Sequence, residues 1–314
     1  MTLNLTGSLP TFGGGQIWSD LWVRSGWRVQ QSTWSGAVRL LDPARRVVAA
    51  GSLEGCLDTA QAMAPTTPGD RVVILLHGLG RGRGIMRRME RALLAAGWVV
   101  ANVGYPSLRR PLDHHADAVR GVARAMHADG AREIALVGHS LGGLLARAAA
   151  AGAAEDGWPL GRIVLLGSPA QGSIVAQALK DFVPFRMIAG DCGQAVTPLR
   201  AAAVPVPATE IGVIAGGNGG AGYNPFLNGD NDGLVTVAET RLPGMETDFL
   251  MLRSMHSRLP LQRDAVAATV CFLDTGRFLD AGRFLDTGRL GGAPVKIPQP
   301  SARKPRPWQA RAHC

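Results

Sequence analysis

A serine with one glycine two positions before it and another two positions after it could act as a nucleophile. The segment Gly-His-Ser-Leu-Gly covers residues 138–142, with Ser140 at its centre. An apolar run at residues 133–137 precedes it, and a helix-forming run at residues 144–150 follows it. A strand, a tight turn and a helix in this order hold the serine in a strained conformation, and the glycines let strand and helix pack closely. The pattern predicts that Ser140 is a nucleophile.

A serine hydroxyl attacks effectively only when a base removes its proton, and a third group must orient that base. With a strand–turn–helix of this kind, the acid and the base are expected after the serine, each behind a late strand. Of the seven histidines, only His256 lies in a loop after a late strand, predicted at residues 248–252. We therefore predict that His256 is the base, against the simpler interpretation of a solvated loop side chain.

Two carboxylates between Ser140 and His256 are candidates for the acid. They are Asp230 and Asp232, in the segment Asn-Gly-Asp-Asn-Asp-Gly-Leu-Val at residues 228–235. These residue types also favour an ordinary turn, because they tolerate left-handed backbone conformations. A calcium loop is a further alternative, but the full spacing of its ligands is absent. Asp232, which Gly-Leu-Val follows directly, is the predicted acid, and Asp230 is the substitute.

Acyl chemistry also needs two backbone N–H groups directed at the oxygen that becomes negatively charged. One is expected from Leu141, the residue after the serine. The other is expected from Leu79 in the loop His-Gly-Leu-Gly at residues 77–80, which follows an apolar strand at residues 71–76. A dinucleotide site in this glycine-rich loop is excluded, because Arg83 stands where the third glycine belongs.

Alternating strands and helices are predicted to position these residues. Two short runs at residues 27–32 and 37–41 predict an N-terminal hairpin, which would supply an antiparallel edge. The alternation that follows predicts an α/β fold, a doubly wound and mostly parallel sheet with helices on both faces. The further predicted strands cover residues 71–76, 98–103, 133–137, 162–166, 210–215 and 248–252, and the predicted helices cover residues 86–96, 112–128 and 262–272.

The predicted domain covers residues 27–277, behind an irregular N-terminal segment at residues 1–26. Within it, an apolar and proline-interrupted stretch at about residues 173–205 separates two strands and predicts a small lid. The hexapeptide Phe-Leu-Asp-(Thr or Ala)-Gly-Arg then occurs three times, starting at Phe272. Its first copy is predicted to end the last helix with Gly276 as the C-cap. The remaining copies, residues 278–290, are interpreted as a duplication without a role of their own.

The net charge of +9 is concentrated at the C-terminus, because residues 291–314 carry five lysines and arginines and no acidic residue. This segment is also rich in proline, which predicts a disordered basic tail. No nucleic-acid motif accompanies the charge, so nucleic-acid binding is not expected. Contact between the tail and an anionic membrane surface is left as an alternative.

The four cysteines lie far apart and show no metal spacing, so we expect neither a metal site nor a cofactor. A disulfide between Cys56 and Cys192 is left open. The N-terminal residues have no basic segment followed by an apolar one, so no secretory signal is predicted. No apolar stretch approaches 18 uncharged residues, which argues against a membrane span. These features predict a cytoplasmic protein.

Together the motifs resemble the α/β-hydrolase fold family, in its bacterial lipase and esterase branch, which is related to triacylglycerol lipases and GPI inositol-deacylase-like proteins. The resemblance covers about residues 71–277. It rests on His-Gly-Leu-Gly (77–80), Val-Gly-Tyr-Pro-Ser (103–107), Gly-His-Ser-Leu-Gly-Gly (138–143), Leu-Gly-Ser-Pro-Ala-Gln-Gly-Ser (166–173), Asn-Asp-Gly-Leu-Val (231–235) and His256 with the serine after it. The N-terminal 70 residues, the hexapeptide repeat and the basic tail depart from that pattern.

The resemblance implies a serine carboxylester hydrolase with Ser140, Asp232 and His256 as its triad, acting without a cofactor on a small-molecule or lipid ester. The short lid argues against long-chain triglycerides as substrates. Acyl transfer, thioester cleavage and amide cleavage on the same triad are alternatives within the fold. A non-catalytic binding protein that keeps the fold is the alternative from another functional class.

Overall fold

The computed structural model describes residues 15–66, 69–179, 190 and 192–278. Its strands are β1 (Trp18–Arg24), β2 (Trp27–Ser32), β3 (Val38–Leu41), β4 (Val47–Gly51), β5 (Arg71–Leu76), β6 (Val99–Val103), β7 (Glu133–His139), β8 (Leu160–Leu166), β9 (Ile211–Gly217) and β10 (Asp248–Arg253). Its α-helices are α1 (Leu53–Met63), α2 (Arg87–Ala95), α3 (Leu112–Ala128), α4 (Leu141–Ala151), α5 (Ala153–Asp156), α6 (Ile174–Leu179), α7 (Pro198–Ala203), α8 (Val237–Thr240) and α9 (Arg263–Thr275). Two 3-10 helices cover Arg83–Met86 and His256–Leu261.

Six parallel strands form the main sheet, in the order β10-β9-β8-β7-β5-β6. Both faces of this sheet are buried, because alternate residues of β5 point into two different cores. Ile74 packs in a core with residues of α3 and α4, whereas Val73 and Leu75 pack in a core with residues of α2 and α9. This accounts for the continuous apolar runs in the sequence, which are typical of parallel strands covered on both sides. The predicted doubly wound sheet is confirmed.

The strand order reverses next to β5, and this reversal locates a crevice. The chain passes from β5 to β6 at one edge, then returns to β7 on the other side of β5 and continues outward to β10. The connections that leave the carboxyl ends of β5 and β7 therefore diverge. In open α/β sheets, ligands bind in the crevice at such a switch point. The predicted oxyanion loop follows β5, and Ser140 follows β7.

The N-terminal strands form a second, antiparallel sheet in the order β1-β2-β3-β4. Helix α1 covers one face of it, and Trp22, Val29, Leu40, Cys56 and Ala60 belong to the small core between them. The predicted hairpin of β2 and β3 is present. This hairpin lies in the separate antiparallel sheet and not at the edge of the parallel one. Within that sheet, β1 pairs with β2 on one side of the hairpin and β4 pairs with β3 on the other.

Several sequence predictions fall wholly or partly outside the described residues. Within the predicted lid, helices α6 and α7 are described, and residues 180–189 and 191 are not. Helix α9 ends with Gly276 in the left-handed conformation, at φ 74°, as its C-cap role requires. The second hexapeptide is described only at Phe278, whose ring stacks on Phe272 at 4.9 Å between centroids. The third copy and the basic tail lie outside the described residues.

Two expectations about the chain as a whole concern its cysteines and its helices. Cys56 and Cys192 are both buried, and no disulfide joins them, so the pairing left open by the sequence is not formed. Cys192 instead donates a hydrogen bond from Sγ to the backbone oxygen of Arg110 at 3.2 Å. In the described part of the chain, every helix is too short or too polar to cross a bilayer.

Candidate active site

Ser140 lies at the sharp turn between β7 and α4, with φ 56° and ψ −123°. A positive φ is unfavourable for serine, so the surrounding structure must impose it. The two glycines of the pentapeptide allow the backbone of the turn to approach neighbouring backbone closely. A Cβ on Gly138 would lie 2.2 Å from the backbone oxygen of Gly142, and a Cβ on Gly142 would lie 2.4 Å from that of Leu76. Only glycine fits at either position.

His256, at the start of the 3-10 helix after β10, contacts Ser140 directly. Its Nε2 lies 2.9 Å from Oγ of Ser140, and its Nδ1 lies 2.6 Å from Oδ2 of Asp232. Because an ionised carboxylate can only accept, the proton belongs on Nδ1, which leaves Nε2 free to accept the serine proton. His256 is 9% exposed as a whole residue, so these bonds form with little competition from water.

Asp232 is buried at 1% exposure and is held by the backbone of its own loop. Its Oδ1 accepts hydrogen bonds from the backbone N–H groups of Leu234 at 3.0 Å and Val235 at 2.8 Å. Its backbone oxygen accepts the N–H of His256 at 2.9 Å. The Gly-Leu-Val that follows Asp232 therefore fixes one carboxylate oxygen and leaves the other for the imidazole.

Asp230, the substitute acid of the sequence analysis, points elsewhere. Its carboxylate accepts hydrogen bonds from the backbone N–H groups of Asn218, Gly219 and Asn231, at 2.8–2.9 Å. It thus shapes the loop that follows β9. In the described residues, no group of three or more His, Cys, Asp or Glu side chains comes together.

His139, the residue before the nucleophile, joins the two sides of the site. Its Nε2 donates a hydrogen bond to the backbone oxygen of His256 at 3.0 Å. Burial, together with the neighbouring His256, lowers the pKa of His139 to about 3. The ring is therefore neutral at ordinary pH and ties the turn at Ser140 to the loop that carries the base. Sequence analysis assigned it no role.

The predicted oxyanion loop lies directly against the nucleophile. A Cβ on Gly78 would come within 3.1 Å of Cβ of Ser140. The loop is a tight turn, since the N–H of Arg81 donates to the oxygen of Gly78 at 3.2 Å and Gly80 has φ 65°. A glycine with positive φ at the third position is typical of a type II turn. Leu79 lies at the second position of this turn.

His77, which precedes the loop, is fully buried and neutral. Its ring stacks on Tyr105 at 4.2 Å between centroids, and the hydroxyl of Tyr105 donates to the backbone oxygen of His77. Burial lowers the pKa of His77 to about 4. Tyr105 lies in a segment that carried the family resemblance, but nothing local in the sequence indicated that it supports this loop.

Both ends of the predicted lid are attached to the core of the α/β fold. Arg147 of α4, 1% exposed, donates hydrogen bonds to the backbone oxygens of Ala170, Val204 and Pro205. Burial lowers the pKa of its guanidinium to about 10, so it stays charged at neutral pH. The buried Glu239 accepts the N–H of Ile174 at 2.6 Å. These contacts fix where the insertion leaves and rejoins the fold.

The proteins that this chain resembles were found among solved structures. No family model matches the sequence, and a search of curated proteins gives no match either. Among solved structures, the mature form of the lipase BlEst2 from Bacillus licheniformis is 18% identical, with a TM-score of 0.54 over 67% of this chain and 93% of that chain.

Two further structures resemble the chain at similar levels. The propeptide form of the same lipase is 19% identical, with a TM-score of 0.54 over 66% of this chain, which spans 51% of that longer chain. An esterase of Pyrococcus furiosus is 14% identical, with a TM-score of 0.50 over 86% of this chain and 95% of that one. The parallel sheet, the turn at Ser140 and these likenesses show that the chain has the α/β-hydrolase fold.

Proposed function

We propose that this protein is a serine hydrolase that cleaves carboxylic esters through an acyl-enzyme intermediate. The observation that carries the proposal is the continuous chain of hydrogen bonds from Oγ of Ser140 through His256 to Asp232, at 2.9 and 2.6 Å. A nucleophile, a base within hydrogen-bonding reach of it and a carboxylate that orients the base are the parts that acyl transfer to serine requires.

In the first half-reaction, Oγ of Ser140 attacks the ester carbonyl carbon while Nε2 of His256 takes the hydroxyl proton. The carbonyl oxygen becomes an oxyanion in the tetrahedral intermediate. When the bond to the alcohol oxygen breaks, His256 returns the proton to that oxygen, and the acyl group stays on Ser140. Asp232 holds Nδ1 of His256 as a donor and stabilises the imidazolium that forms transiently.

In the second half-reaction, a water molecule replaces the alcohol. Nε2 of His256 takes a proton from the water as its oxygen attacks the acyl carbon. Collapse of the second tetrahedral intermediate releases the acid and returns the proton to Oγ of Ser140. Every proton transfer in the cycle passes through one imidazole nitrogen, Nε2 of His256.

The oxyanion is assigned to the backbone N–H groups of Leu79 and Leu141. Helix α4 begins at Leu141, and the first N–H groups of a helix have no partner within it. The partial positive charge at this end of the helix also favours a developing anion. The close approach of Gly78 to Ser140 supports Leu79 as the second donor.

The ester as substrate class is supported by the similar solved structures, which are of a lipase and an esterase. The same triad could pass the acyl group to an added alcohol or release it from a thioester. Product analysis with a competing alcohol, and a hydrolysis profile over acyl chains of increasing length, would define the acceptor and the acyl group.

The test is the variant Ser140→Ala. It should lower kcat for p-nitrophenyl ester hydrolysis by something on the order of 10⁶-fold and abolish labelling by a fluorophosphonate probe. The matched control is Ser35→Ala, which changes an exposed serine in the turn between β2 and β3. Stoichiometric labelling of the control, with none of Ser140→Ala, is expected. Hydrolysis by Ser140→Ala near the wild-type rate would overturn the proposal.

A further inference from the structure

The oxyanion loop, residues 78–81, has partners outside the parallel sheet. Gln16 is 5% exposed and lies just before β1. Its Nε2 donates to the backbone oxygen of Arg81 at 3.0 Å and to Oγ of Ser107 at 3.4 Å. Its Oε1 accepts the N–H of Leu108 at 2.9 Å. One side chain from the N-terminal segment thus bonds to the loop after β5 and to the loop after β6.

Ser107 completes this bridge. It is fully buried, and its Oγ accepts the backbone N–H of Gly80 at 3.0 Å. The turn around Leu79 is therefore held at two successive residues, at Gly80 by Ser107 and at Arg81 by Gln16. An amide side chain that uses both its donors and its acceptor in a buried site specifies one geometry, because any displacement leaves buried polar groups unpaired.

A second contact comes from the N-terminal sheet itself, through Asp20 of β1, which is fully buried. Its Oδ2 accepts the N–H of Gly104 at 2.6 Å, and its own N–H donates to the oxygen of Gly104 at 2.9 Å. Arg28 of β2 balances the charge, with Nη1 at 2.5 Å from the carboxylate. A buried pair of this kind is costly to desolvate unless it is fully hydrogen-bonded, so its position is strongly constrained.

The contact at Gly104 reaches the oxyanion loop through the next residue, Tyr105. Its ring stacks on His77, its hydroxyl donates to the oxygen of His77, and its N–H lies 3.4 Å from Nε2 of His77. His77 immediately precedes Gly78. Asp20 therefore constrains the start of the loop, whereas Gln16 constrains its end.

We propose that the N-terminal sheet is a positioning element of the active site, in which Gln16 and Asp20 fix the loop that directs the Leu79 N–H at the oxyanion. The inference rests on the proposed serine hydrolase function. Neither residue touches the substrate; each acts through the backbone of residues 77–81. The sheet is thus part of the catalytic unit and not an appended domain.

An oxyanion donor binds the transition state more strongly than the substrate, so its displacement lowers kcat and leaves KM nearly unchanged. Gln16→Met keeps a side chain of similar length and removes all three hydrogen bonds. We expect kcat per fluorophosphonate-titrated site to fall about 10- to 100-fold, with KM close to that of the wild type. Gln16→Glu can still accept hydrogen bonds from the Leu108 N–H and the Ser107 hydroxyl, but it places an acceptor against the Arg81 oxygen and loses that bond, so its kcat should fall in the same range.

The affinity for a reversible trifluoromethyl ketone is a measurement that would not change if Gln16 had only a structural role. Its adduct with Ser140 carries an oxyanion, so its affinity should fall by the same factor as kcat/KM in both Gln16 variants. The matched control is Asp129→Asn. The carboxylate of Asp129 accepts a hydrogen bond from Nε of Arg24 at 2.8 Å. This bond connects the same strand, β1, to the end of α3, away from the oxyanion loop. This control should keep wild-type kcat and ketone affinity.

The outcomes separate the two proposals. Wild-type kcat and ketone affinity in Gln16→Met would overturn the inference and leave the hydrolase proposal intact. An equal loss in Asp129→Asn would also overturn it, because the sheet would then act only through general attachment. If the wild-type protein neither hydrolyses esters nor reacts with the fluorophosphonate, the proposed function fails and the inference fails with it.

Discussion

At the scale of single residues, Asp230 and Asp232 are chemically alike and lie two positions apart. One hydrogen bond, to His256, distinguishes Asp232 from Asp230. Oδ2 of Asp232 lies 2.6 Å from the imidazole of His256, whereas the carboxylate of Asp230 is occupied by three backbone N–H groups. Both side chains accept backbone donors, so both looked alike as turn residues. Only the direction of the second carboxylate oxygen distinguishes an orienting acid from a loop-forming one.

Asp232→Asn should lower kcat for ester hydrolysis on the order of 10⁴-fold with little change in global stability. An asparagine amide favours the imidazole tautomer with its proton on Nε2, which cannot accept the proton of Ser140. Steady-state kinetics at pH 7 provides the measurement. Asp230→Asn is the matched control and should lose far less activity. Equal losses in the two variants would contradict the assignment of Asp232.

At the scale of elements, the turn between β7 and α4 depends on backbone contact that only glycine permits. A Cβ on Gly142 would lie 2.4 Å from the oxygen of Leu76 and 2.7 Å from that of His77. Both atoms belong to the backbone of β5 and its loop, so neither can move without shifting the oxyanion loop. The sequence motif predicted this turn because the strand, the glycines and the helix that form it are contiguous in the chain, although the backbone that Gly142 contacts is distant in sequence.

Gly142→Ala should lower the free energy of unfolding by about 1–3 kcal/mol, the usual cost of overpacking, and should also reduce kcat through the displaced loop. Urea unfolding followed by circular dichroism measures the first effect. The control is Gly84→Ala in the first 3-10 helix, where nothing lies within 4 Å of the added Cβ. Unfolding of Gly142→Ala at the wild-type midpoint would contradict this account of the turn.

Most elements of the parallel sheet could be predicted from the sequence, and the N-terminal ones only in part. Strand β5 and helix α3 have the predicted bounds, because β5 is a continuous apolar run and the buried residues of α3 recur at helical spacing. Strand β1 and helix α1 were not predicted. Helix α1 buries Cys56 and Ala60, which gives it little apolar periodicity, and it begins with a capping bond from the N–H of Gly55 to Oγ of Ser52. Strand β1 pairs with the neighbouring β2, but its buried polar residues interrupt the apolar alternation that would indicate a strand.

At the scale of the whole molecule, the fold buries several neutral histidines, and this makes its stability depend on pH. Burial lowers the pKa of His139 to about 3 and those of His77 and His115 to about 4. In the unfolded chain these side chains titrate near 6.5. Below that pH the unfolded state binds more protons than the folded state, so stability falls as the pH decreases from about 6.5 to about 4.

Each of these histidines should contribute a slope of up to about 1.4 kcal/mol per pH unit in that range. Urea unfolding at intervals between pH 7 and pH 5 measures the slope. Replacing one member, His115→Gln, should reduce it, because glutamine does not titrate. The control His127→Gln changes an exposed histidine of α3 and should leave the slope as it is. Equal slopes in the wild type and His115→Gln would contradict the prediction.

The sequence by itself determined the alternating strands and helices and the strained turn at Ser140, because each of these patterns is formed by residues close together in the chain. Tertiary structure decided which aspartate meets His256 and what holds the oxyanion loop. Ser140 and His256 are 116 residues apart, and Gln16 lies 65 residues from Arg81. Contacts at such separations arise from the order of strands within the parallel sheet and from the packing of the N-terminal sheet against it, and no local pattern records which side chains these bring within hydrogen-bonding distance.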